Sequence, residues 1–105
     1  MPEEVLGTSL SKMIVDLTDL ILATKNPAKK EELRKQHKKL TKKLQALIDK
    51  TVPADTEEYK KANAAVVEGN MAIKEAIKDT SQAAGAVTKL AKAISALAKL
   101  IVLLA

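Results

Sequence analysis

Residues 6–22 read LGTSLSKMIVDLTDLIL, and their apolar side chains recur with the period of an α-helix. Steps of four, three, four and three residues connect a central stripe made of Leu6, Leu10, Met13, Leu17 and Leu20. Four further apolar residues widen this stripe: Ile14, Val15, Ile21 and Leu22. Such spacing puts the apolar side chains on one helix face, which must be buried against another element. The segment therefore predicts an amphipathic helix packed at a shallow angle against others.

Three further segments show the same rhythm, over residues 33–47, 59–77 and 83–104. The connections between the segments are short, and short connections make consecutive helices antiparallel. The chain has 105 residues, a length that fits one domain. The prediction is an all-α, antiparallel four-helix bundle in which residues 1–105 form a single helical-bundle domain.

Three breaks separate the predicted helices. Asn26 and Pro27 suit the N-cap and first turn of the second helix. Asp55 and Glu58 have the spacing of a capping box at the start of the third helix. The third break, residues 79–82, contains capping residues but neither Pro nor Gly. The alternative is therefore three helices, with the last one long and continuous.

Small residues favour a hairpin at the third break. One seam on the third helix contains Ala62, Ala65, Gly69, Ala72 and Ala76, and a matching seam on the fourth contains Ala84, Thr88, Ala91, Ser95 and Ala98. Small side chains let two helix axes approach closely. The two seams are therefore expected to face each other.

Composition limits the compartment and the chemistry. The chain has no Cys, Phe or Trp, and Tyr59 is its only aromatic residue. Its longest apolar run, residues 100–105, is far shorter than the roughly 20 residues of a membrane-spanning helix. The acidic start does not resemble a secretory signal, which carries a basic region before its apolar stretch. A cytoplasmic protein is the expectation.

Positive charge is concentrated in the second helix. Residues 27–52 contain nine basic and three acidic residues, a net charge of +6, whereas the whole chain carries +5. Such a helix can bind nucleic acid or an acidic protein electrostatically, although charge runs more often form a solvated surface. The candidate polyanion-binding residues are Arg34, Lys35, Lys38, Lys39, Lys42 and Lys43.

No constellation of residues indicates catalysis. His37 is the only histidine, and without Cys or a second His it predicts no metal site. Its position on an apolar stripe suggests a histidine hydrogen-bonded to a neighbouring helix, with Asn63 and Asn70 as candidate partners. The glycines are isolated and form no phosphate-binding loop. We expect no enzyme, no catalytic residues, no cofactor and no small-molecule substrate.

The first and fourth helices have more apolar surface than a small bundle can bury. Val15, Leu22, Val102 and Leu103 flank the main stripes. Leftover apolar surface is typical of interfaces. The leading hypothesis is therefore a non-enzymatic protein that binds another protein or itself, as a homo-oligomer, through these residues. Two alternatives are polyanion binding through the second helix and membrane binding through the fourth, which is cationic and amphipathic.

Overall fold

A computed structural model describes residues 6–48 and 56–104, and these residues form four α-helices and no strand. The helices are α1 (Leu6–Ala23), α2 (Pro27–Ile48), α3 (Glu57–Lys78) and α4 (Ala83–Leu104). A short 3₁₀ turn over Thr80–Gln82 separates α3 from α4. The predicted all-α, four-helix bundle is therefore confirmed, and the alternative with one long C-terminal helix is wrong.

Polar side chains cap the helices at the breaks. Asn26 accepts the backbone N–H of Lys29 through its Oδ1 at 3.0 Å, as predicted for an N-cap. The cap of α3 is Thr56, whose hydroxyl accepts the N–H of Tyr59 at 3.3 Å. Asp55, the predicted cap, lies outside the described residues. Asp79 ends α3 and opens the 3₁₀ turn, and its Oδ1 accepts the N–H of Ser81 at 3.1 Å.

Each helix packs closely against two of the other three. α1 lies between α2 and α3, and α4 likewise lies between α2 and α3. Within the described residues, the diagonal pairs α1 with α4 and α2 with α3 share no comparable interface. The order around the bundle is therefore α1, α2, α4, α3, which differs from the order along the chain.

Contacts between the helices give their directions. Leu6 at the start of α1 donates its N–H to the hydroxyl of Tyr59 at the start of α3, at 3.0 Å, so α1 and α3 run parallel. Gln36 of α2 similarly donates to the carbonyl of Val87 early in α4, at 2.9 Å. The α3/α4 hairpin runs antiparallel, as predicted, since Glu68 meets Lys89 across it. Two antiparallel hairpins thus pack side by side with like-directed helices in contact.

The core lies along the middle of the bundle and is built mainly from leucine. Ten large side chains from all four helices are less than 1% exposed: Leu10, Met13, Leu17, Leu20, Leu33, Leu40, Ile73, Leu90, Leu97 and Leu100. Burying one such side chain contributes about 1.5–3 kcal/mol before entropy costs are counted. No aromatic ring lies among these ten residues, so the core depends on close fitting of aliphatic chains.

Only one of the two predicted small-residue seams is buried. On α3, Ala62, Gly69 and Ala76 are buried, and Gly69 lies against the end of Met13. On α4, Ala84, Thr88, Ala91 and Ser95 are exposed, so the predicted facing of the two seams is wrong. α4 buries a different set of small residues instead, namely Ala83, Ala86 and Ala93. The larger side chains Leu90, Leu97 and Leu100 share that face, and their burial decides the rotation of the helix.

Candidate functional site

The outward face of α2 is covered with cations. Its described residues include eight basic and two acidic side chains, a net charge of +6. Of the six candidate polyanion-binding residues, Lys43 is half-buried and five are exposed: Arg34, Lys35, Lys38, Lys39 and Lys42. Since Lys35, Lys38 and Lys42 are spaced three and four residues apart, they line one side of the helix. These positions are on the face opposite the buried leucines.

Few of these cations are neutralised. Arg34 approaches Glu31 at 4.0 Å, and Lys29 approaches Glu32 at 3.4 Å, both in exposed pairs that contribute little to stability. Six lysines of α2 form no ion pair within the described part of the chain: Lys30, Lys35, Lys38, Lys39, Lys42 and Lys43. Their charges therefore remain available to an external anion.

α4 adds to the positive charge because it packs beside α2. Its charged residues are Lys89, Lys92 and Lys99, with no acidic residue. The α2/α4 pair therefore carries +9, which we call the cationic half. The α1/α3 pair has five basic and six acidic residues, a net charge of −1. The packing of α2 beside α4 therefore concentrates the positive charge on one half of the molecule.

A groove between α3 and α4 continues the cationic half around one side. Its volume is about 270 Å³, and it is lined by Glu58, Lys61, Lys92, Ser95, Ala96 and Lys99. The Oε2 atom of Glu58 is buried and accepts no hydrogen bond from the described residues. The three lysines form no ion pair in that part of the chain, so the groove keeps a net positive charge.

His37 contacts a different helix from the one predicted. Its Nε2 lies 3.2 Å from the hydroxyl of Thr18 on α1, and Thr18 also lies 3.2 Å from the carbonyl of Ile14. Asn70 instead donates to the carbonyl of Ser9 on α1, at 3.2 Å. The proposed pairing of His37 with Asn63 or Asn70 is therefore wrong. The physical reason is that α2 and α3 lie on a diagonal of the bundle.

The four predicted apolar interface residues are all exposed but do not meet in one surface. Val15 and Leu22 are 63% and 74% exposed on α1, while Val102 and Leu103 are 74% and 54% exposed near the end of α4. Since α1 and α4 are diagonal, these pairs form two separate patches. Met71 on α3 is also 63% exposed. It was not predicted as an interface residue because only the α3 residues expected to be buried were considered.

The described residues contain neither a cluster of metal-ligating side chains nor a membrane-spanning helix. No group of three or more His, Asp or Glu side chains lies close enough to hold a metal ion there. None of the described helices is long and apolar enough to cross a membrane. Comparison with known proteins found no matching family, no similar curated protein and no similar solved structure.

Proposed function

We propose that this protein is a non-enzymatic binding protein whose cationic half holds a nucleic acid by its phosphate backbone. One observation carries the proposal: the packing of α2 beside α4 puts a net charge of +9 on one half of the bundle and −1 on the other. Such polarisation attracts and orients a polyanion through long-range electrostatics.

The shape of α2 favours a linear polyanion. Its 22 residues span about 33 Å as a rigid rod, and the unpaired lysines from Lys35 to Lys43 extend over about 12 Å of it. Duplex DNA supplies one charge per about 1.7 Å of its axis, so one groove edge faces several lysines at once.

The expected contact is independent of base sequence. Reading of unpaired bases uses aromatic stacking, and base edges are read by Arg or Lys at guanine and by Asn or Gln at adenine. The only aromatic residue, Tyr59, is engaged with Leu6 on α1. The cationic face of α2 has lysine at most of its positions and a single arginine, Arg34. Lysine contacts phosphate as a flexible point charge, without the fixed geometry of the arginine fork.

Binding to an anionic membrane is the less supported use of this surface. A membrane-surface helix inserts its apolar face among the lipids. In α4 that face is in the core, where Leu90, Leu97 and Leu100 are fully buried, so insertion requires opening of the bundle. Association of two protein chains through the exposed apolar residues of α1 is a separate proposal.

Salt-dependent binding of a labelled DNA duplex, followed by fluorescence anisotropy, tests the proposal. If the five unpaired lysines from Lys35 to Lys43 each neutralise one phosphate, the slope of log K against log salt is about −4.5. The affinity then falls roughly 500-fold between about 50 and 200 mM salt. Absence of binding at the lower salt concentration contradicts the proposal. Binding of polyglutamate or anionic vesicles in place of the duplex contradicts the choice of nucleic acid.

A charge-reversed pair with a matched control locates the surface. Lys38→Glu combined with Lys42→Glu removes two phosphate contacts and should reduce the slope by about 2. Lys60→Glu combined with Lys74→Glu changes the net charge equally, but on exposed positions of α3. If the proposal holds, the α3 variant binds far more tightly than the α2 variant. Equal losses would show that only net charge matters.

A further inference from the structure

The outer face of α1 has a second heptad pattern that is exposed. Steps of three and four residues connect Thr8, Ser11, Val15, Thr18 and Leu22, and all five are exposed. Thr8, Val15 and Leu22 are spaced seven residues apart, so the two apolar side chains lie along one line on the helix surface. This is the spacing of a seam that packs against a second helix. Hydroxyl groups at the other positions make that seam weaker than a purely apolar one.

Two charged residues beside this seam indicate which kind of surface can pack against it. Lys12 and Asp19 are exposed, lie seven residues apart on the same flank, and form no ion pair within the described residues. When two copies of such a helix pack antiparallel, residues on like flanks face each other. Lys12 of each copy then lies near Asp19 of the other. A parallel arrangement instead puts Lys12 level with Lys12 and Asp19 level with Asp19.

We propose that the outer face of α1 binds a second copy of this chain, with the two α1 helices antiparallel. Charge complementarity within one face selects a copy of that same face, because the lysine and the aspartate exchange places under a two-fold rotation. The face also belongs to the α1/α3 half with its net charge of −1, so two copies approach without bringing their cationic halves together. The proposal does not depend on nucleic-acid binding.

The interface is small, and the association is expected to be weak. One helix face with two exposed apolar residues buries less than the roughly 1,600 Å² of a standard interface. A dissociation constant in the micromolar to millimolar range is the expectation. Reversing one charge should weaken the dimer about tenfold, since two mutual pairs change from attraction to repulsion.

Sedimentation equilibrium of charge-swapped variants tests the pairing. Asp19→Lys should weaken dimerisation, and addition of Lys12→Asp to it should restore the dimer. Val102→Ser, on the separate patch of α4, serves as the control and should leave the dimer unchanged. A strict monomer at all concentrations, or a double variant as weak as Asp19→Lys, overturns the proposal. Circular dichroism of each variant verifies that helicity is retained.

Cysteine cross-linking tests the direction, since the chain contains no cysteine of its own. In the antiparallel arrangement, oxidation of a mixture of Ser11→Cys and Leu22→Cys chains gives a heterodimer, whereas neither variant cross-links efficiently alone. Both positions are exposed on α1, so the substitutions leave the core intact. Cross-linking of Leu22→Cys with itself indicates parallel helices and contradicts the proposal. Absence of any cross-link also contradicts it.

Discussion

Substitution of Gly69 by alanine tests the contact between α1 and α3 in a quantitative way. Gly69 is buried in the middle of α3, and a Cβ atom built on it would lie 2.5 Å from the terminal methyl of Met13. Real Cβ contacts are never so short, so the Met13 side chain must move. Met13 is fully buried in the core, which leaves it little free space.

Two opposing effects set the magnitude. Alanine is favoured over glycine inside a helix by about 1 kcal/mol. Overpacking of a core costs about 1–3 kcal/mol, toward the lower end here because the clashing atom is the end of a flexible chain. Gly69→Ala should therefore lower the free energy of unfolding by about 0–2 kcal/mol. In a Met13→Ala background the clash is gone, and the same substitution should stabilise by about 1 kcal/mol.

Urea unfolding of the four chains gives the coupling energy between the two sites. The expected coupling is at least about 1 kcal/mol, with Gly69→Ala changing sign between backgrounds. Gly85→Ala is the control, because a Cβ there has no neighbour within 4 Å, and its effect should be the same in both backgrounds. Zero coupling at Gly69 would refute the described packing of α1 against α3.

Three further outcomes follow from single contacts. Tyr59→Phe removes the acceptor of the Leu6 N–H and should lower the free energy of unfolding by about 1 kcal/mol in urea; no loss contradicts this hydrogen bond. Asn70→Leu removes a buried Oδ1 atom that accepts no hydrogen bond from the described residues, but it also removes the 3.2 Å hydrogen bond to the Ser9 carbonyl. The two effects oppose each other, so thermal unfolding should show a change of no more than about 1 kcal/mol, and a loss above about 3 kcal/mol argues against that. Hydrogen bonds from the side chain and backbone of Ser81 lower the pKa of Asp79 below its ordinary 3.8. The stabilisation is present above that ordinary pKa and fades as the pH falls through the folded-state value. Asp79→Asn should therefore reduce the fall in melting temperature between neutral and strongly acidic pH. Superimposable plots of melting temperature against pH for the two proteins would be evidence against the contact.

Local features of the chain could be predicted because they depend on neighbouring residues alone. Asn26 followed by Pro27 marks a helix start wherever the helix packs. Helix α3 ends at Asp79 although the break contains neither Pro nor Gly, because the Asp79 carboxylate stabilises a tight turn. The exposure of Lys38 and Lys42 also followed from the pattern, since lysine is rarely buried.

The arrangement of helices around the bundle could not be predicted in the same way. Periodicity identifies the buried face of a helix but not the neighbour that covers it. The predicted partner of His37 was wrong for this reason. His37 contacts Thr18 on α1 and not Asn70 on α3. On α4, alanine occurs on both faces and fits either environment, so Ala91 seemed as suitable for contact as Ala93.

The candidate site was predictable only in part for the same reason. The sequence placed the cations on α2, but the addition of Lys92 and Lys99 on α4 depends on which helices are neighbours. Likewise, Val15 and Leu22 were expected to be exposed, but their separation from Val102 follows only from the diagonal placement of α1 and α4.

An NMR titration of the isotope-labelled protein with a DNA duplex at low salt shows which surface binds the duplex, because it reports on every helix at once. We expect chemical-shift changes concentrated at the exposed positions of α2, from Lys35 to Lys43, and at the exposed surface of α4 near Lys92. Amides of α1, and those of α3 outside the groove residues Glu58 and Lys61, should remain largely unaffected. Changes confined to α1 and α3, or no change in any helix, would contradict the cationic half as the binding surface.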